Sequence, residues 1–196
     1  MQLTYERQVN ELHEHNGESS YRRFLEGEKE AFDDIINLYK QGLIGFIIRN
    51  VGNADIAEDI SEDCFVELIV NPGRYKFKSS LKTYLYAIAH NKVKEHFRRN
   101  KSASVSLEDI EDYLPVGNAT NAIIAAENKE MLNRALSKLP KDYRDVLHLH
   151  YFEDMPYDVI EKIMRKNSKQ VYNLAFRAKK LLKEILEQEG FIYEEP

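Results

Sequence analysis

The chain has 196 residues, of which 43% are hydrophobic and 31% charged, and a formal net charge of −5. That composition can build a core, which argues against wholesale disorder, and no stretch approaches the roughly 18 apolar residues of a membrane span. The polar, acidic start MQLTYERQVNELHEHNGESS lacks the basic opening and apolar centre of a secretory signal, so a cytoplasmic protein without membrane insertion is expected.

Eight Gly and five Pro are few for this length, and the stretches between them carry helical spacing. An all-α protein follows. Phe24 and Leu25 begin an apolar pattern that Gly27 interrupts. Ala31, Phe32, Ile35, Ile36 and Tyr39 resume it, Leu43, Phe46 and Ile47 extend it towards Val51, and Gly52-Asn53 marks a turn. From Ala54 a helix turns Ala57, Ile60, Cys64 and Leu68 inward. The lone cysteine therefore reads as a buried small hydrophobe that cannot close an internal disulfide. On the same helix Asp55, Glu58, Asp59 and Glu62 stand at i, i+3, i+4 and i+7, which makes an exposed acidic stripe. Asn71-Pro72-Gly73 stops that helix, and a basic loop from Arg74 to Ser80 leads into another helix over about Leu81 to Arg99.

Between Lys101 and Asn121 the periodicity fails among Ser, Pro, Gly, Asn and acidic residues, as in a flexible linker. Beyond it Leu132, Ala135, Leu136 and Leu139 share a helix face that Pro140 ends, and Val146, Leu147, His150 and Tyr151 share the next. Pro156 fits the first turn of a short helix bearing Val159, Ile160, Ile163 and Met164. Asn167-Ser168 offers a cap for a long last helix, whose apolar face runs from Val171 through Ala175 and Ala178 to Ile185. A short helix, a turn and a longer helix with a basic polar face make a helix-turn-helix. The expected plan is two small helical domains, 21–100 and 123–190, joined by a flexible acidic linker at 101–122. An extension covers 1–20 and a tail 191–196.

Charge is sorted by sign along this plan. Acids crowd from Asp55 to Glu67 and again from Glu108 to Asp112. Bases collect at Arg74 to Lys82, at Lys92 to Lys101 and from Arg165 to Lys183. Alternation of this kind suits a protein with one polyanionic partner and one basic partner.

Three segments together resemble a known family. AEDISEDCFVELI, from Ala57 to Ile69, resembles the helix by which region two of bacterial sigma factors grips core RNA polymerase. SSLKTYLYAIAHNKVKEHFRR resembles the promoter-opening segment of that region, and LPKDYRDVLHLHYFEDMPYDVIEKIMRKNSKQVYNLAFRAKKLL resembles region four. The absence of a region three between them is similar to the extracytoplasmic-function (ECF) group. Four positions depart from the family pattern: Tyr84 stands for a usual Trp, Glu62 for a Gln, Glu161 for a small residue and Arg165 for the turn Gly.

The resemblance implies a sigma factor that binds core RNA polymerase and recognises and melts promoter DNA, with an anti-sigma protein as a further partner. Asp59, Glu62 and Asp63 are then expected to meet the polymerase. Lys76, Lys78, Ser79, Ser80, Lys82, Tyr84, Asn91 and Lys94 are expected at the minus-ten element. Bases and aromatics interleave there as melting requires, since phosphates need cations and unstacked bases need aromatic faces. Tyr84 reads equally well as a core aromatic. Ser168, Lys169, Gln170, Tyr172, Asn173, Arg177 and Lys180 are expected at the minus-thirty-five element. Asn and Gln can pair with adenine and Arg with guanine, while Lys180 reads as a phosphate contact. The acidic run Glu108 to Asp112 suits a mimic of nucleic-acid charge.

Enzyme chemistry is not expected. His13 and His15, and His148 and His150, stand two apart, which on a helix points them to different sides and disfavours a shared metal. No Gly-rich phosphate loop, nucleophile elbow or HExxH is present, so no cofactor or metal is expected. The alternative reading is a stand-alone helix-turn-helix regulator with a helical N-terminal domain.

Overall fold

In the computed structural model residues 17–99 and 122–191 are described, with side chains for 17–99 and 130–191. These residues form eight α-helices and no strand. The first domain contains α1 (Gly17–Leu25), α2 (Ala31–Val51), α3 (Ala54–Val70), a 3-10 turn (Pro72–Arg74) and α4 (Leu81–Arg99). The second contains α5 (Ala122–Ser137), α6 (Lys141–Tyr151), α7 (Tyr157–Met164) and α8 (Ser168–Gln188). The expected linker with its Glu108 to Asp112 run lies outside the described residues, as do most of the N-terminal extension and the tail beyond Phe191.

Local chemistry sets the helix ends. Gly52 takes a left-handed conformation at φ 66°, and its N–H donates to the Ile48 carbonyl, which closes α2. The Asn53 side chain then accepts from the Ile56 N–H at 2.9 Å and opens α3. Gly17, Ser20 and Tyr21 are buried, so the packing already includes residues ahead of the boundary expected at residue 21. On α3, Ala57, Ile60, Cys64 and Leu68 all face the core as the spacing predicts. Burial pushes the Cys64 thiol up to about 12, so it is an inert packing group.

The middle of α2 departs from amphipathic spacing. Every residue from Leu43 to Val51 is buried, Arg49 and Asn50 among them. A helix apolar on all sides must be covered on all sides, and here α1, α3 and α4 cover part of it while α6 of the second domain covers the rest. In parallel α4 packs on α7. One buried cluster thus runs through both domains, from Phe46 and Tyr86 to Val146 and Leu149. On α6 the buried face is Asp145 to Leu149, whereas Tyr151, expected inward, is exposed. The first domain claims the face that the local pattern assigned to solvent.

Candidate nucleic-acid interface

The α3 surface combines charge with apolar side chains. Asp59, Glu62 and Asp63 are exposed, and so are Val66, Ile69 and Val70 in the next turns. The three apolar residues went unnoticed in the sequence because Asn71 and Pro72 follow so closely. Asp63 already has a partner, the Lys92 ammonium of α4 at 2.8 Å. Asp59 and Glu62 carry the outward charge.

The basic loop is built on an aromatic hub. Tyr75 is 4% exposed, and its ring contacts those of Tyr21, Phe77 and Tyr84 at 5.6, 4.6 and 5.1 Å. Its hydroxyl donates to the Ser79 carbonyl at 2.7 Å, while the Arg22 guanidinium lies 4.1 Å from the Phe77 ring. Phe77 is held at φ 54°, so the chain reverses and Lys76, Lys78 and Ser80 project outward. Ser79 is half-buried. The Ser80 hydroxyl accepts from the Thr83 N–H at 3.1 Å and thereby caps α4.

On α4 the choice left open at Tyr84 narrows, and the expectation for Lys82 changes. Tyr84 is half-buried against Tyr75, which favours the packing role over stacking on a base, and Tyr86 is 1% exposed and closed to any base. Lys82 is not free. Its ammonium lies 3.0 Å from the Glu153 carboxylate and 2.9 Å from the Glu153 carbonyl, in the turn between α6 and α7. Asn91 donates its amide to the Ala87 carbonyl at 2.7 Å, and Lys94 is exposed.

The helix-turn-helix takes the expected form. Arg165, in place of a glycine, adopts φ 53° and ψ 47°, and its N–H closes α7 on the Glu161 carbonyl. Asn167 and Gln170 form a reciprocal capping box at the start of α8. Gln170 was expected to read bases, yet its side-chain oxygen accepts from the Asn167 N–H at 2.9 Å, leaving only its amide to donate outward. Ser168, Lys169, Tyr172, Asn173, Arg177 and Lys180 are exposed, the last 3.8 Å from Glu184. Phe176 shares that side and is 69% exposed, a residue the pattern had not singled out. Lys166, Gln170, Asn173 and Arg177 line one open recess there.

Between the domains lies a buried polar network that sequence spacing did not reveal. Arg49 Nη1 donates to His148 Nδ1 at 2.9 Å and to the Gly45 carbonyl at 3.1 Å, with its guanidinium 4.4 Å from the Phe152 ring. Because arginine only donates, His148 Nδ1 must accept, so the ring proton sits on Nε2, facing Glu153 Oε1 at 3.3 Å. Burial holds the His148 pKa below its ordinary value and so keeps the ring neutral. Burial alone would raise the Glu153 carboxyl. Hydrogen bonds from His148 and Tyr86, with one from Lys82 among the further contributions, outweigh it and hold the pKa at about 2. Burial lowers Arg49 to about 10, still charged near neutrality. Nearby, the fully buried Asp145 meets Lys141 at 2.7 Å and His90 of α4 at 3.4 Å. Among the described residues no group of His, Cys, Asp and Glu could hold a metal ion, and no helix is long and apolar enough to cross a membrane.

Comparisons with known proteins agree with this layout. A family model for Sigma-70 region 2 matches residues 35–103, and one for Sigma-70, region 4 matches residues 129–182. The chain is similar to the RNA polymerase sigma-H factor of Pseudomonas aeruginosa, at 28% identity over 84% of this chain and 91% of that protein. It is also similar to the ECF RNA polymerase sigma factor SigW of Bacillus subtilis, at 27% identity over 73% of this chain and 82% of that protein. In fold it resembles the sigma factor RpoE solved with the anti-sigma factor NepR from Bartonella quintana, with a TM-score of 0.63, 20% identity and coverage of 80% and 96% of the two chains. CnrH, solved with the cytosolic domain of CnrY, gives a TM-score of 0.64 at 16% identity and coverage of 86% and 96%.

Proposed function

Because the chain belongs to the sigma-70 family, as an ECF sigma factor that directs RNA polymerase to promoters, we propose a division of labour among its three exposed surfaces. The α3 face, with Asp59, Glu62, Asp63, Val66, Ile69 and Val70, docks on core polymerase. Apolar area supplies affinity there, and the acids orient the encounter with a basic partner. Lys76, Lys78, Ser79, Ser80, Asn91 and Lys94 meet the minus-ten element, joined by Lys82 once it leaves Glu153. Tyr84 supports the loop from behind.

The α8 face reads the minus-thirty-five element. Asn173, Arg177 and the free amide of Gln170 face base edges, while Ser168, Lys169 and Lys180 meet phosphates and Tyr172 and Phe176 supply apolar contact. The observation that carries this reading is the α8 N-terminus, capped by Asn167 directly after the left-handed Arg165, with an exposed polar face behind it. Residues 21–100 and 123–190 are accordingly the polymerase and minus-ten domain and the minus-thirty-five domain, with 101–122 between them.

The chain works in the cytoplasm, as a DNA-recognition subunit whose polymerase partner performs the catalysis. The named anti-sigma factor beside the RpoE neighbour supports an anti-sigma partner for this chain too.

The testing experiment is run-off transcription with purified bacterial core polymerase and promoter fragments from the same genome. Selective transcripts that vanish without the protein are expected. Core binding without transcripts from any fragment would instead indicate a polymerase decoy, and duplex DNA binding without core binding a stand-alone regulator.

A further inference from the structure

Glu153 occupies a socket built across the domain boundary. Its carboxylate meets the Lys82 ammonium at 3.0 Å, the His148 ring at 3.3 Å and the Tyr86 hydroxyl. Gly42 of α2 forms the wall, since a Cβ there would stand 2.7 Å from the Tyr86 oxygen and 3.1 and 3.2 Å from the two carboxylate oxygens. The side chain of Glu153 is only 10% exposed. A buried carboxylate with a cation and two hydrogen-bond donors is a specific arrangement, because losing the cation leaves a charge uncompensated and losing either donor leaves a buried acceptor unsatisfied.

Resting on the reading of Lys82 as a minus-ten contact, we propose that Lys82 serves two anions in turn. In the closed chain Glu153 holds it, and in the open chain a DNA phosphate takes the place of the carboxylate, so interdomain closure and promoter binding exclude each other. One ammonium cannot satisfy both anions in the same position. Distance gives the second reason. Elements at minus ten and minus thirty-five are separated by roughly 85 Å of duplex, at about 3.4 Å per base pair. In the closed chain Lys82 touches the turn leading into α7, a helix only about 12 Å long at 1.5 Å per residue, after which α8 begins. The recognition helix therefore cannot reach the upstream element until α4 and α7 separate and Lys82 leaves Glu153.

Interdomain distance and DNA affinity of the full chain test this together. Dyes on Lys29→Cys and Gln188→Cys report the distance, the native Cys64 being buried. Fluorescence anisotropy with a short single-stranded DNA of mixed sequence reports phosphate binding. Glu153→Gln is expected to lengthen the distance and tighten DNA binding by up to about tenfold, the gain when a competent state near a tenth of the population becomes dominant. Gly42→Ala attacks the socket from the other wall and is expected to open the chain likewise. Glu30→Gln, an equal charge change on an exposed residue, is expected to alter neither readout.

Lys82→Ala is expected to open the chain and yet weaken DNA binding. An unchanged distance in both Glu153→Gln and Gly42→Ala, with circular dichroism showing folded protein, would overturn the proposal. So would opening by Glu153→Gln without tighter DNA binding. If Lys82→Ala opened the chain and bound DNA as tightly as Glu153→Gln, the minus-ten role of Lys82 would fall, and the proposal that DNA displaces Glu153 with it, while the other surfaces of the sigma-factor reading would stand.

Discussion

Arg49 of the first domain donates a hydrogen bond to His148 Nδ1 of the second at 2.9 Å, across 99 residues of sequence, and both side chains are buried. That contact ties the two domains to the protonation state of one ring.

The first prediction concerns pH. The His148 pKa lies below its ordinary 6.5 in the folded chain, so below that pH the unfolded state binds the extra proton and stability falls. The slope is at most about 1.4 kcal/mol per pH unit for one group. Glu153 has the opposite charge type and the same direction. Its carboxyl is depressed from 4.5 to about 2, so its contribution is complete above 4.5 and is lost as pH falls towards 2. That contribution is on the order of 3 kcal/mol. Urea midpoints measured from pH 7.5 to 4 should decline, more gently in His148→Gln above pH 5 and in Glu153→Gln below it. Parallel curves for all three proteins would contradict the assignment.

The capping box makes a second prediction. Asn167→Ala removes the acceptor for the Gln170 N–H at 2.9 Å and is expected to cost about 1 kcal/mol, read as a fall of a few degrees in the melting temperature. Asn167→Ser, which keeps an acceptor, is expected to recover most of it.

Arg165 carries a third. Its left-handed backbone at φ 53° strains any β-branched residue, so Arg165→Val is expected to lose about 1–2 kcal/mol. Arg165→Gly should be no less stable than the parent. Chemical denaturation of the two variants separates the backbone effect from loss of the guanidinium, which both share.

On α8, Asn173→Ala and Arg177→Ala are expected to change the ranking of promoters by about 1–3 kcal/mol at the base each contacts. Lys180→Ala should weaken all promoters alike and flatten the salt dependence. Transcription from a promoter library with each variant holoenzyme decides this, and a uniform loss for all three would remove the base-reading roles.

On α3, Asp59→Lys is expected to weaken core polymerase binding at least about tenfold, close to 1.4 kcal/mol, with an unchanged melting temperature because the residue is exposed. Asp63→Lys should also lower stability slightly, since Lys92 lies 2.8 Å away. Pull-down of core enzyme beside thermal unfolding distinguishes the two.

Much of this was legible in the chain. Ala57, Ile60, Cys64 and Leu68 recur at helical spacing and are buried together, because a helix sorts its faces by a period that depends only on sequence. The helix-turn-helix was legible for the same local reason, its ends being written in Pro156 and Asn167. Even the Gly-less turn at Arg165 could be anticipated, since a non-glycine residue adopts that conformation at modest cost. What tertiary structure alone decided is how the halves meet. Leu43 to Val51 looks like an over-apolar helix until α6 is seen to cover it. Lys82 looks like one more loop cation until Glu153 takes it. Periodicity records which face of a helix turns inward, but Arg49, Lys82 and His90 find their partners at His148, Glu153 and Asp145, where no local spacing reaches.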